Sequence, residues 1–335
     1  MKPKLKEIQR YRDDEGVSQS LLKSITTGYI SRKKKTLSMT LGSLYDCYIC
    51  TYELLEDLFI ISDGKRPTDV ICQIVEYVFN NSLVIDFSKV EDFESMIEES
   101  FQSIVYQGKW KTETKIKKVI EEGSEYFDLL KVKGERELVT QKEVDEACKT
   151  VSLLYQNNPA KSVLQNTTEF QKALYGQYNG VRIKGLLDCF YINEAQKVII
   201  ITDIKRTDFN FRQLKHLIKK FRYDFQLSFY KELVQQNYPE YDVICQLLFI
   251  SAFDGRSALV VLSEVDLDFA KTGFYNISGT VYSSESDKSI VSTDYNPGWE
   301  TLLEVYKQSI ELNVKDFNIE HFCNGGIYNF KSIHE

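Results

Sequence analysis

Residues 180–230 read GVRIKGLLDCFYINEAQKVIIITDIKRTDFNFRQLKHLIKKFRYDFQLSFY. Two apolar runs, each carrying one aspartate, Asp188 or Asp203, flank the polar stretch Asn193–Lys197. Runs of this kind around a short polar break predict a β-hairpin, and the basic, aromatic pattern that follows predicts a helix. If the strands pair symmetrically about Ala195 and Gln196, Asp188 falls opposite Asp203. Opposed residues of an antiparallel pair have Cβ atoms roughly 5 Å apart, and like charges there repel. A positive group is therefore expected between them. Lys205, two residues beyond Asp203, lies on the same side of its strand and can supply it.

Two hard carboxylates with positions left for water and phosphate suit Mg²⁺ or Mn²⁺ better than zinc. Such a cation would polarise a phosphate and acidify a bound water, while Lys205 steadied the attacking water or the developing negative charge. Ile204 is apolar, so its contribution would be its backbone carbonyl as an extra ligand. Taken alone, D-x-K is short and recurs by chance, with strand-end aspartates and a snorkelling lysine as the plain alternative. From Arg212 onward, 100° steps gather Arg212, Lys215, Lys219, Arg222, Tyr223, Gln226 and Tyr230 into one stripe. Leu214, Ile218, Phe221, Phe225 and Phe229 form the neighbouring apolar stripe. One stripe can be buried while the other meets a polyanion through backbone contact and base stacking.

The rest of the chain sets bounds. At 335 residues and 43% hydrophobic, with 21 Tyr and 20 Phe, it can bury a sizeable core and is not a disordered protein. A net charge of −7 argues against a general polyanion binder, so any nucleic-acid site is a local basic groove. Seven cysteines without framework spacing read as thiols of a reducing compartment. No apolar run approaches the ~18 residues of a membrane span, so a soluble, cytoplasmic protein with no membrane partner is expected.

Along the chain, Gly16-Val17-Ser18-Gln19-Ser20 starts a helix, with serine as its cap. A basic cluster at Ser31–Lys35 leads into Leu41-Gly-Ser-Leu-Tyr-Asp46, and a helical pattern continues to Phe59. Residues 65–130 predict several amphipathic helices, with the Lys109, Lys111, Lys115, Lys117 and Lys118 run as a solvated face. A helix is expected at Gln141–Gln156, strands at 168–178, 242–251 and 257–262, a loop at Ser283–Ser292, and a last helix at Trp299–Leu312. The fold class is α/β: a central mixed β-sheet flanked by helices, with a helical N-terminal elaboration. Residues 1–165 read as the helical N-terminal part and 166–335 as the core, as one integrated domain, and the resemblance that follows implies that the first part contributes to the active site.

In order, Gly185-Leu-Leu-Asp188, Asp203-Ile-Lys205 and Gln226-Leu-Ser-Phe-Tyr230 resemble motifs II, III and Q-x-x-x-Y of the PD-(D/E)XK nuclease superfamily, in its RecB-like branch. Gly16-Val-Ser-Gln-Ser20-Leu-Leu-Lys resembles the opening of phage exonuclease VIII-like proteins, and Leu41–Asp46 resembles their G-[ST]-x-x-H segment. Asp46 stands where that family has a metal-binding histidine; His216, His321 and His334 all lie elsewhere. The resemblance implies a restriction-endonuclease-like core and a Mg²⁺- or Mn²⁺-dependent DNA exonuclease of phage or bacterial recombination. It implies Asp188, Asp203 and Lys205 as catalytic, and Asp46, Asp188, Asp203 and the Ile204 carbonyl as metal ligands. DNA contacts fall to Ser18, Ser20, Arg206, Lys219, Tyr223, Gln226 and Tyr230. It further implies linear DNA ends as substrate, a single-strand annealing protein as partner, and a homo-oligomer. Some relatives carry a four-cysteine iron–sulfur cluster. Here Cys47-Tyr-Ile-Cys50 has only Cys323 near the C-terminus to join it, so no cluster is expected, and Cys47 and Cys50 read as buried small residues. Glu169 reads as a surface glutamate rather than an accessory acid. The alternative to an enzyme is a non-catalytic DNA-binding or assembly subunit on a degenerate nuclease fold.

Overall fold

The computed structural model describes residues 2–26, 37–81, 90–207, 210–251, 256–282 and 289–311. The Ser31–Lys35 cluster, His321, His334 and Cys323 lie outside them. In chain order the elements begin with helices α1 (Pro3–Asp13), α2 (Gln19–Ile25), α3 (Leu37–Cys50) and α4 (Leu55–Leu58). Strand β1 (Phe59–Ser62), helices α5 (Asp69–Asn81), α6 (Val90–Ser100) and α7 (Thr112–Lys133), strand β2 (Glu137–Thr140), and helices α8 (Gln141–Leu154) and α9 (Asn158–Asn166) follow. Next come strands β3 (Glu169–Tyr178), β4 (Val181–Asn193) and β5 (Val198–Thr207), then helices α10 (Leu214–Phe221) and α11 (Tyr223–Asn237). The last are β6 (Asp242–Ser251), β7 (Ser257–Val261), α12 (Glu264–Thr272), β8 (Gly273–Tyr282), β9 (Ser289–Pro297) and α13 (Trp299–Glu311). No described helix is long and apolar enough to cross a membrane.

The chain divides into two compact units, Met1–Lys35 with Ile49–Thr51 and Thr150–Glu335, and Thr36–Tyr48 with Tyr52–Lys149. The second is mainly helical. Its amphipathic helices α5, α6 and α7 bury Ile71, Ile74, Phe93, Ile97, Val119 and Phe127 against one another, and β1 pairs with β2 in parallel. Arg66 ties that unit locally: its guanidinium donates to the Leu138 carbonyl at 2.7 Å and to Glu143 at 3.0 Å. Glu143 in turn accepts from the Thr140 amide, and its own amide donates to the Thr140 hydroxyl, a capping box that starts α8.

The first unit is α/β. Its five-stranded mixed sheet has the order β3-β4-β5-β6-β7, with β5 and β6 parallel and every other pair antiparallel. Parallel neighbours need a crossover, which α10 and α11 provide. The β4–β5 ladder runs Cys189↔Thr202 through Asn193↔Val198, the expected register, and ends one step short of Asp188 and Asp203. α11 lies on the sheet with Phe225, Leu227, Phe229, Leu233 and Val234 in a core shared with Ile199, Ile201, Leu247, Phe249 and Trp299. Gly185 permits that approach: a Cβ there would fall 2.8 Å from Leu233 Cδ1 and 2.9 Å from Tyr230 Cδ1. The N-terminal segment is tied to the same sheet. Val17 bridges Ile183, and the buried Lys184 ammonium donates to the carbonyls of Tyr11 (2.7 Å) and Asp14 (2.5 Å).

Two expectations need correction. The Ser283–Ser292 loop gives way from Ser289 to a strand, because β9 pairs antiparallel with β8 from Ser289↔Tyr282 to Pro297↔Gly273. The single helix expected from Arg212 is two helices: Arg222 adopts φ 51°, ψ 50°, a left-handed conformation that ends α10 and precedes α11.

Candidate active site

The first unit gathers Asp188, Asp203 and Lys205 at one end of the hairpin. The Ile204 amide donates to Asp188 Oδ2 at 2.8 Å, and Gln171 Nε2 donates to Oδ1 at 3.0 Å. Asp203, 3% exposed, accepts from Gln226 Nε2 at 2.6 Å through Oδ1. Its Oδ2 meets the Lys205 ammonium at 2.6 Å and has no other hydrogen-bond partner among the described residues. Gln226 also donates to the Tyr230 hydroxyl at 3.2 Å, so the two outer members of Q-x-x-x-Y form one chain of contacts ending on Asp203. The four-residue spacing on α11 makes this possible, since i and i+4 share a helix face.

Electrostatics follow from burial and crowding. The Asp188 carboxyl is pushed up to about 7, first by burial and then by the charge of Asp203; Lys205, the Ile204 amide and Gln171 oppose the shift. Lys205 lies over the Tyr223 ring at 5.1 Å, and Tyr223 stacks on Phe221 with ring centroids 5.6 Å apart. An aromatic face thus supports the ammonium beside Asp203.

Two neighbours were not singled out as site residues, although Lys23 closes the Gly16–Lys23 stretch quoted above. Gln171 belongs to β3, with nothing in its residue type to signal an acidic partner. Lys23, on α2, donates to the Phe221 carbonyl at 3.2 Å. Burial, then the charge of Lys205, pushes the Lys23 amine down to about 7. It ends the Ser18–Lys23 segment, whose serines were the visible signal: Ser18 Oγ caps α2 through the Leu21 amide and lies 2.9 Å from Ser20 Oγ.

The remaining sequence-predicted positions are spread differently. Lys219 is exposed on α10, whereas Arg206 and Tyr223 are half-buried. Gln226 and Tyr230 are buried, at 8% and 5% exposure, and face Asp203. Ile204 engages Asp188 through its amide N–H. Asp46 is half-buried on α3, in the second unit. Cys47 and Cys50, near it, are buried. Glu169 pairs with Lys172 at 2.5 Å and Lys4 at 3.3 Å, the behaviour of a surface glutamate. Among the described residues, no group of three or more His, Cys, Asp or Glu side chains forms a metal cage.

No protein-family model matches the chain, and no curated protein matches it. Among solved structures it is similar to a candidate exonuclease from Eubacterium rectale, with 12% sequence identity, a TM-score of 0.42, and coverage of 94% of this chain and 83% of that one. It is also similar to the protein SSO0001, at 15% identity and a TM-score of 0.22, over 70% of this chain and 83% of that one. Likenesses this loose carry no argument, and the reading of the site rests on its own geometry.

Proposed function

We propose that this chain is a metal-dependent DNA exonuclease with a PD-(D/E)XK core, hydrolysing phosphodiester bonds at the Asp188–Asp203–Lys205 corner. The observation that carries the reading is the buried Asp203 carboxylate, whose Oδ2 has, among the described residues, only the Lys205 ion pair, opposite a second carboxylate that it repels. Two like charges held together at a cost to the fold are explained by a cation that neutralises both.

The donors fit a hard divalent cation. Both candidate ligands are carboxylates, and Asp203 Oδ2 has a lone pair that no donor among the described residues fills. Asp188 and Asp203 would hold Mg²⁺ or Mn²⁺, which when bound would supply charge neutralisation at a phosphate oxygen and a more acidic water. The assignment of Asp46 as a third oxygen ligand rests on the sequence resemblance alone, and that of the Ile204 carbonyl as a fourth on its place between Asp203 and Lys205.

The chain's own residues divide the remaining work. Lys205, fixed between Asp203 and the Tyr223 ring, presents an ammonium that can orient a water or offset charge growing on the phosphate. Gln226 holds Asp203 in one rotamer, and Tyr230 holds Gln226. Lys219, with Arg206, Tyr223, Ser18 and Ser20, would contact the DNA backbone. Linear DNA ends are the substrate, in phage or bacterial recombination, with a single-strand annealing protein taking the product.

End-labelled linear and covalently closed DNA, incubated with Mg²⁺ or with chelator, test this. Metal-dependent loss of linear DNA that vanishes in Lys205→Ala is expected. Intact linear DNA with both proteins would overturn it in favour of a non-catalytic DNA-binding subunit, and cleavage of closed circles would make the enzyme an endonuclease.

A further inference from the structure

We propose that Gln171 is a positioning residue of this site, aligning the Asp188 carboxylate to receive a divalent cation. The inference rests on the reading of Asp188 as a ligand given above.

Gln171, the third residue of β3, has φ 48°. That left-handed conformation is disfavoured for any side chain with a Cβ, and glycine or asparagine meets it more readily. The distortion falls opposite Asp188. The β3–β4 ladder runs through Phe170↔Cys189 and Lys172↔Leu187 and steps over Gln171 and Asp188 between them. What the strained backbone gains is the placement of one amide: Gln171 Nε2 donates to Asp188 Oδ1 at 3.0 Å. The Ile204 amide holds the other oxygen at 2.8 Å. Two N–H donors on different oxygens fix the plane of a carboxylate, and each oxygen keeps a lone pair for a cation.

The residue type suits the task. A lysine here would compete with the cation for Asp188, and a glutamate would add a third negative charge to a pair that already repels. The neutral amide donates without altering the charge. Strained backbone retained beside a candidate site is the pattern expected where geometry is held for function.

The test uses two variants of the full chain, Gln171→Met, which keeps length but has no donor, and Gln171→Gly, which also relieves the backbone. Calorimetry with Mn²⁺ should show both binding about tenfold more weakly than wild type, the low end for loss of an outer-shell partner. In chelator, Gln171→Gly should melt no lower than wild type. The Mn²⁺ concentration needed for half-maximal degradation of linear duplex should rise by the same factor, with kcat at saturating Mn²⁺ changed far less. Asp188-dependent Mn²⁺ binding that neither variant weakens would overturn this proposal and leave the nuclease reading standing. Wild-type protein with no Asp188-dependent Mn²⁺ binding would overturn both. Weakened binding that only tracks a lower melting temperature in both variants would show Gln171 to be a fold residue and overturn the proposal.

Discussion

Replacing Asp188 with asparagine should stabilise the metal-free protein while removing its activity. The Asp188 carboxyl rises from 3.8 to about 7 in the fold. Between those values the folded state binds the proton and the unfolded state does not, so the contribution of Asp188 to stability falls as pH rises from about 4 to about 7 and is level above. At 1.36 kcal/mol per pK unit, the ionised carboxylate costs the fold at most about 4 kcal/mol above neutrality. Asparagine mimics the protonated acid: its carbonyl can accept from the Ile204 amide, and a flip of the Gln171 amide can meet its NH₂. Relaxation and water at the half-buried carboxylate would return part of the ceiling, leaving a gain of about 2 kcal/mol near pH 8. In a unit of this size that is roughly 4–8 °C in Tm.

Thermal melts in chelator at about pH 8 and about pH 5 read this directly, because the advantage of Asp188→Asn should shrink by more than half at the lower pH. Adding Mn²⁺ should reverse the order, raising the Tm of wild type and leaving the variant unmoved. A variant less stable than wild type by the same amount at both pH values would refute the reasoning. It would make Asp188 an ordinary satisfied acceptor whose ionised form the fold prefers.

Lys205→Met should keep Asp188-dependent Mn²⁺ binding yet lower kcat on linear DNA by about 10²–10³-fold, the usual loss of one charge-stabilising donor. Single-turnover degradation at saturating Mn²⁺ measures it, and an unchanged rate would remove Lys205 from the chemistry. Because a proton on Asp188 competes with the cation, Mn²⁺ affinity should rise about tenfold per pH unit below 7 and flatten above. Calorimetry across that range checks the slope. Gly185→Ala should destabilise by about 1–3 kcal/mol in urea melts, because its new methyl would press on Leu233 and Tyr230. Full wild-type stability would mean that α11 can shift away from the sheet at little cost.

The hairpin was legible because its signals are local and mutually consistent: apolar runs, a polar turn of fixed length, and a register that the turn determines. That register brought Asp188 and Asp203 together from numbering alone. The helix beyond was legible in composition but not in path. Equal 100° steps put Gln226 and Tyr230 on the same stripe as Lys219, where all three would face a polyanion. The left-handed Arg222 interrupts that phase, so Lys219 stays exposed on α10 while Gln226 and Tyr230 turn inward on α11. Arginine and glutamine carry no local preference for left-handed backbone, so neither Arg222 nor Gln171 could announce its conformation. Both departures act on the same pair of carboxylates. The break at Arg222 begins the helix whose Gln226 holds Asp203, and the distortion at Gln171 delivers the amide that holds Asp188. The motif residues were therefore visible as letters, whereas the backbone conformations that aim their supports depend on tertiary packing and became visible only in three dimensions.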